Sequence, residues 1–367
     1  MINYGKQSIN QDDIDAVTNV LKSDFLTQGP KVVEFERDLS SYCSVKYAKV
    51  VCNGTAALHL AYLAIGLEPG DIVWTTANTF VATANAALYC GATVDFVDID
   101  LRTYNLSINS LKEKLIQAKK DNKLPKLLVP VHFAGQSCEM KAIWELSKEY
   151  GFKVVEDASH ALGGEYLNKK VGNCEYSDMA VFSFHPVKMI TTGEGGAIMT
   201  NSKDLSDKIE LMRSHGITKD PSNFVNESDG SWYYEQQILG FNYRLTDIQA
   251  ALGISQLKRL DSFVEKRRAI AKQYCDQLND DILPYQHPDT NSSWHLFVIQ
   301  TKNRKEIYQN LKEQEIMAQV HYIPVSHQPF HNSKILKNNK FFYQHCLSLP
   351  IYPDLNKNEQ NKVINLL

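Results

Sequence analysis

Apolar residues recur every three and four positions over Asp12 to Lys22, Thr55 to Ile65, Thr79 to Leu88, Ser107 to Ala118 and Glu139 to Tyr150, a spacing that predicts amphipathic helices. Between and after them lie short apolar runs, often β-branched: Ile72 to Thr75, Val94 to Val97, Leu127 to Val131, Lys153 to Glu156, Met179 to Ser183 and Ala197 to Thr200. Such runs read as strands buried on both faces, as in a parallel sheet. From residue 12 to about residue 215 the two patterns alternate without a repeat or charged linker, which predicts an α/β fold with helices covering a mostly parallel sheet.

Residues 217 to 240 break this pattern with Pro221, Asn223, Asn226, Asp229 and Gly230, followed by Trp232, Tyr233 and Tyr234. A loop of that length carrying three adjacent aromatics is expected to be a surface excursion used for docking. After it the spacing predicts one long helix from Leu245 to about Leu278, with Glu265-Lys266-Arg267-Arg268 on a solvated face. A strand at Leu296 to Gln300 and a helix at Arg304 to Gln314 then belong to a smaller α+β domain. The expected division is 1–245 for the large domain and 246–367 for the small one.

Length and composition fit that picture and remove other classes. The 367 residues suit about two domains. A net charge of -3, from 39 Lys plus Arg against 42 Asp plus Glu, offers no electrostatic footprint for nucleic acid or an anionic membrane. No leader pattern opens the sequence and no long uncharged apolar stretch interrupts it, so a cytoplasmic location is expected. The seven cysteines are dispersed with no Cys-x-x-Cys pair, which predicts reduced thiols and no metal site.

Chemistry concentrates where strands end. Val154-Val155-Glu156-Asp157 is an apolar strand finishing in a carboxylate, and ligands of open α/β sheets bind beyond the carboxyl ends of strands. Asp157 therefore either faces a ligand or caps the next helix. The following strand leads to Lys188, set among apolar residues and the glycines of Gly193-Glu194-Gly195-Gly196. Such a lysine is either an amine nucleophile made less basic by burial or a surface residue. Gly54-Thr55 before an apolar helix offers free N–H groups and a hydroxyl for a phosphate, and Phe80 stands at a strand-to-helix turn. An amine, a carboxylate at the adjacent strand end, a phosphate cradle and a stacking ring are together what pyridoxal 5'-phosphate requires.

At these positions the sequence resembles the DegT/DnrJ/EryC1/StrS sugar aminotransferases. The motifs are Thr27-Gln28-Gly29-Pro30, Gly54-Thr55-Ala56-Ala57-Leu58, Glu156-Asp157-Ala158, Ser183-Phe184-His185-Pro186-Val187-Lys188, Gly193-Glu194-Gly195-Gly196 and Gly240-Phe241-Asn242-Tyr243-Arg244-Leu245. The resemblance implies a fold-type I pyridoxal phosphate enzyme with a seven-stranded, mostly parallel sheet. It also implies roles: Lys188 as Schiff-base lysine and acid/base, and Asp157 on the pyridine nitrogen. Ser183, Thr55 and the Ala56 N–H would hold the phosphate, Phe80 would stack on the ring, and His160 would stand beside the ring hydroxyl where many relatives have Gln. Asn242 would reach the phosphate of a second subunit, which implies a homodimer with shared sites.

Within the family, Tyr4 to Ile9, Asp24 to Pro30 and Ser183 to Lys188 resemble members acting in pseudaminic acid biosynthesis. Those aminate C4 of a UDP-linked 4-keto-6-deoxy-N-acetylhexosamine to give UDP-4-amino-4,6-dideoxy-N-acetyl-β-L-altrosamine, with L-glutamate as the implied donor. Alternatives are an aminotransferase for a quinovosamine- or perosamine-type 4-keto sugar, or a non-catalytic nucleotide-sugar-binding regulator. Family dehydratases carry His at the Schiff-base position, so Lys188 argues against that activity.

Overall fold

A computed structural model describes residues 1–331 and 333–367. Seven strands form the central sheet: β1 (Tyr47–Val51), β2 (Ile72–Thr76), β3 (Thr93–Val97), β4 (Leu127–Val129), β5 (Lys153–Asp157), β6 (Met179–Ser183) and β7 (Gly196–Thr200). Their order is β1-β7-β6-β5-β4-β2-β3. Only β7 runs against the rest: it pairs antiparallel with both β1 and β6, which leaves β1 parallel to β6, and the other neighbours are parallel. The carboxyl ends of β1, β2, β5 and β6 therefore share one edge.

Helices cover both faces, and their starts are set by side chains. Asn10 caps α1 (Gln11–Leu21) in a reciprocal box with Asp13, and Pro30 opens α2 (Pro30–Cys43) where no N–H is needed. Asn53 caps α3 (Gly54–Ala64). The next, α4 (Ala82–Tyr89), begins after the turn at residues 79–81, and α5 (Ile108–Lys120), α6 (Met140–Tyr150) and α7 (Lys203–Arg213) follow. Beneath α3 and α4 the sheet buries Val51, Val73, Val129, Val155, Val181 and Ile198, alternate positions of successive strands. On the other face, Phe35 of α2 and Phe182 and Phe184 around β6 share a core with Ala250 and Ile254.

The single helix expected over 245–278 is instead two, α8 (Asp247–Leu257) and α9 (Leu260–Gln277), with Thr246 as the N-cap of the first. No Pro or Gly marks the break; at it, Arg259 pairs with the buried Asp13 and donates to the Ser8 carbonyl (3.2 Å). The solvated run is also corrected at one position. Arg267 is buried on the same helical face as Phe263, Ile270 and Tyr274, and its guanidinium donates to the carbonyls of Trp294, His295 and Ile351. Burial without a carboxylate partner pushes it down to about 10. The excursion at 217–240 folds as a short hairpin that leaves Trp232 and Leu239 exposed.

In the C-terminal part, β8 (Phe297–Gln300) pairs antiparallel with β9 (Cys346–Leu349), packed by α10 (Arg304–Glu313), α11 (Lys337–His345) and α12 (Lys357–Ile364). The chain's start returns to this region: Ile2 is buried beside Phe297 and Ile316, and its N–H donates to the Glu315 carbonyl.

Candidate active site

The carboxyl edge of the sheet opens onto a cavity of about 490 Å³, a size suited to a small-molecule ligand. Thr55, Phe80, Asp157, His160, Ser183 and Lys188 all line it. Ala56 and Asn242 do not.

Lys188 sits on the turn between β6 and β7, which is anchored by buried Phe184: the Phe184 N–H donates to the Gly195 carbonyl, and its own carbonyl accepts from Thr192 N–H and the Thr191 hydroxyl. Met189 and Ile190 are buried immediately after the lysine. Burial pushes the Lys188 ammonium from 10.5 down to about 8, with attraction to Asp157 only partly offsetting it. Among the described residues no carboxylate lies within ion-pair distance of its Nζ. The amine is thus partly neutral near pH 7 to 8, as a nucleophile or a proton carrier requires.

Asp157 is the last residue of β5 and is almost wholly buried. Its Oδ2 accepts from the Thr83 hydroxyl (2.7 Å) and its Oδ1 from the Ser159 N–H (3.2 Å). No helix follows for it to cap, so of its two readings the ligand-facing one agrees with its position. The strand end is held by a backbone bridge to the β4 side, where Asp157 N–H donates to the Pro130 carbonyl and His132 N–H donates to the Asp157 carbonyl.

The α3 N-terminus lies directly against Ser183 in the cavity wall. Of its first N–H groups, Ala56 donates to Asn53 Oδ1 (2.8 Å) and Ala57 to the Asn53 carbonyl (3.1 Å), while those of Gly54 and Thr55 have no acceptor among the described residues. Asn53, as N-cap, thus takes up the Ala56 N–H expected to face a phosphate, and the N–H groups without an acceptor are one and two residues earlier. The α3 start lies tight against β7 because a side chain is missing there. A Cβ on Gly196, the residue paired with both Val51 and Ser183, would lie 2.6 Å from the Asn53 carbonyl oxygen. Phe80, 58% exposed rather than in the core, stands at the mouth with its ring 6.2 Å from that of Tyr322.

His160 is buried, and the Ala134 N–H donates to its Nδ1 (3.3 Å). Its proton therefore rests on Nε2, which lies 3.0 Å from Tyr322 Oη. Burial, and then the charge of Lys188, push its pKa well below 6.5, so the ring is neutral. With Nε2–H donated to Tyr322, the tyrosine proton is free to point into the cavity.

Tyr4, Thr83, His295, His321 and Tyr322 also line this space and were not singled out from the sequence. His321 and Tyr322 come from the C-terminal part and Tyr4 from the chain's start, so only tertiary packing brings them to the sheet edge. Asn242 is exposed, away from this chain's cavity, on a segment tied to α7 by Phe241 N–H to Met212 O and Tyr243 N–H to Arg213 O. It does not cap α8, because Thr246 does.

These residues fit pyridoxal phosphate: unpaired N–H groups beside two hydroxyls for its phosphate, a buried carboxylate for its ring nitrogen, and an amine of lowered basicity for its aldehyde. Comparison with known proteins agrees. A protein of Campylobacter jejuni named UDP-4-amino-4,6-dideoxy-N-acetyl-beta-L-altrosamine transaminase is 42% identical over 372 residues, covering 97% of this chain and 94% of that protein. Helicobacter pylori PseC, described as an aminotransferase involved in the biosynthesis of pseudoaminic acid, superposes with a TM-score of 0.90 at 34% identity, over 100% of this chain and 97% of that one. The PMP form of a putative sugar aminotransferase from Streptococcus pneumoniae superposes with a TM-score of 0.89 at 26% identity, over 100% and 98%. The family model for DegT/DnrJ/EryC1/StrS aminotransferases matches residues 7–367, and this chain belongs to that family of pyridoxal phosphate-dependent sugar aminotransferases.

Proposed function

We propose that the chain transfers an amino group from an amino acid, L-glutamate, to C4 of a UDP-linked 4-keto-6-deoxy-N-acetylhexosamine, giving UDP-4-amino-4,6-dideoxy-N-acetyl-β-L-altrosamine for pseudaminic acid. What supports this sugar over a quinovosamine- or perosamine-type one is the name of the Campylobacter relative, which matches over nearly the full length of both chains. What supports transamination rather than mere binding is the pair Lys188 and Asp157 at neighbouring strand ends.

In this reading Thr55, Ser183 and the N–H groups of Gly54 and Thr55 hold the phosphate, Asp157 holds the ring nitrogen by a charge-assisted bond, and Phe80 covers the ring. Bound there, the cofactor supplies an aldehyde to exchange amines and a ring that withdraws electrons from the carbon losing its proton. Lys188 Nζ takes that proton and returns it, a role worth about 10²–10⁴-fold in rate. Asn242 serves the site of a partner subunit in a homodimer. The seven cysteines are all free thiols, which suits the cytoplasm as its location.

Two measurements test the proposal. Borohydride reduction of the purified protein should fix the cofactor's mass on Lys188, and mass on any other residue would overturn the assignment. Single-turnover decay of the aminated cofactor against a panel of nucleotide 4-keto sugars should be fastest with the UDP-linked N-acetyl sugar; a faster GDP- or dTDP-linked sugar would replace it.

A further inference from the structure

The carboxylate of Asp157 is the end of a hydroxyl chain. Thr79 Oγ1 and Thr83 Oγ1 are 2.8 Å apart, and Thr83 Oγ1 is 2.7 Å from Asp157 Oδ2. An ionised carboxylate can only accept, so the Thr83 proton points at Asp157 and the Thr83 oxygen accepts from Thr79. The chain has one direction, from Thr79 through Thr83 to Asp157. Both threonines are buried, at 2% and 1% exposure, and both line the cavity.

The backbone holds these hydroxyls in place. Thr83 is in the first turn of α4, its N–H donates to the Phe80 carbonyl and its carbonyl accepts from the Tyr62 hydroxyl (3.1 Å). Thr79 immediately precedes Phe80 in the turn after β2. One short segment therefore carries the aromatic ring at the cavity mouth and the hydroxyls behind the carboxylate.

We infer that Thr83, backed by Thr79, is a positioning residue for Asp157, fixing the rotamer in which its carboxylate faces the cavity. A hydrogen bond donated to the ionised form favours that form, more strongly where water is excluded. The consequence falls on the proton shared between Asp157 and the cofactor's ring nitrogen: a carboxylate held in place by a donated hydrogen bond keeps that proton on nitrogen more firmly than one left to turn away. The other titratable groups facing Asp157 are Lys188 from the β6–β7 turn, Tyr62 from α3 and Tyr322 from the C-terminal part. Burial, followed by Asp157's own charge among the causes, raises both tyrosines, so they stay neutral. None of the three donates to the Asp157 carboxylate; among the described residues its donors are the Thr83 hydroxyl and, within its own strand-end turn, the Ser159 N–H.

This inference rests on the assignment of Asp157 to the ring nitrogen. Its test uses the holoenzyme and three variants, Thr83→Val, Thr83→Ser and Thr79→Val, with Lys188→Ala as reference. The readouts are the pH midpoint of the bound cofactor's visible absorbance, thermal stability, and kcat against KM. A less protonated ring leaves the lysine–cofactor linkage more basic. Thr83→Val should therefore raise the midpoint by about half a pH unit or more and lower kcat about tenfold, with the sugar KM within about twofold, as loss of one bond to a charged group predicts. Thr83→Ser should restore both, and Thr79→Val should shift the midpoint in the same direction by less. A Thr83→Val enzyme that loses thermal stability but titrates like wild type overturns the inference. If Thr83→Val does not fold, an unmoved midpoint in Thr79→Val overturns it. A wild-type protein whose visible absorbance is indistinguishable from that of Lys188→Ala overturns the underlying assignment as well.

Discussion

Gly54 and Ser183 meet so closely that a methyl group on Gly54 would lie 2.9 Å from the Ser183 Cβ and 3.1 Å from its Oγ. One residue opens α3, the other ends β6, and their contact fixes the distance between the open N–H groups and the hydroxyl. Gly54→Ala should push Ser183 aside and weaken pyridoxal phosphate binding by about tenfold or more, as overpacking by one methyl costs about 1–3 kcal/mol. Fluorescence titration of the apoprotein with the cofactor measures it. Wild-type affinity in this variant would show that Ser183 does not take part in the cradle.

Strand ends were legible in the sequence because a parallel sheet writes its strands as apolar runs, and the residue that stops the run stands at the edge. Met179 to Ser183 is read without error, and Asp157 lies one residue past the predicted end of its strand. The edge strand β1 was not predicted: Tyr-Ala-Lys-Val-Val interrupts its apolar pattern with Lys49, whose ammonium pairs with Glu210 (2.6 Å). Arg267 was misplaced because a charged residue announces solvent, whereas here three carbonyls replace water. His321 and Tyr322 could not be placed at all. Nothing local tells that they fold back more than a hundred residues to the edge that carries Lys188.

Lys188→Ala should abolish transamination while the cofactor still binds, now dissociably, since Asp157, Ser183 and the α3 start are untouched. Turnover above a few hundredths of a per cent of wild type, roughly 10⁻⁴ or more of the normal rate, would contradict its roles as bond partner and proton carrier. With a lysine pKa pushed to about 8, the neutral amine fraction grows tenfold per pH unit below that value and levels off above it. The rate at which apoprotein captures pyridoxal phosphate, followed by visible absorbance, should trace that curve. A flat profile between pH 6 and 8 would mean that the amine is already neutral there.

Asp157→Asn keeps the shape of the strand end and removes its charge. Oδ2 is the acceptor of the Thr83 hydroxyl, and an amide oxygen in its place would still accept that bond. Turnover should fall by about a hundredfold or more while cofactor occupancy changes little, because the lost interaction is between charges and matters most when the ring carries electrons. Parallel assays of kcat and bound cofactor decide the matter; an Asn enzyme that keeps most of its rate removes Asp157 from the electron-withdrawing role.

One residue before Asp157, Glu156 is buried between two partners: Ser177 donates to its Oε1 (2.5 Å) and His132 Nε2 lies 2.6 Å from its Oε2. The Cys138 N–H donates to His132 Nδ1 (3.1 Å), which leaves the Nε2 proton for the carboxylate. Glu156→Ala would strand a buried ring N–H and a hydroxyl. The expected loss is about 2–4 kcal/mol of stability, read from the shift of the urea unfolding midpoint. A midpoint unchanged within error would mean that water or a neighbour replaces the carboxylate.

Asn242 can act only on another subunit if it acts on a phosphate at all, because its side chain is exposed and absent from its own chain's cavity. Its competing role as a helix cap falls to Thr246, whose hydroxyl accepts from the Gln249 N–H (3.2 Å). Asp in its place has nearly the same shape but turns a hydrogen bond to an anion into like-charge repulsion. An Asn242→Asp enzyme should therefore be inactive, and so should Lys188→Ala. Each mixed dimer of the two, however, contains one site with a wild-type lysine from one subunit and a wild-type asparagine from the other. Mixing the inactive parents under exchange conditions should restore activity, up to about a quarter of the wild-type rate per total protein when random pairing makes half the dimers mixed and one site in each complete. An active Asn242→Asp parent, or mixed dimers shown by mass to have formed yet without activity, would take Asn242 out of the shared site.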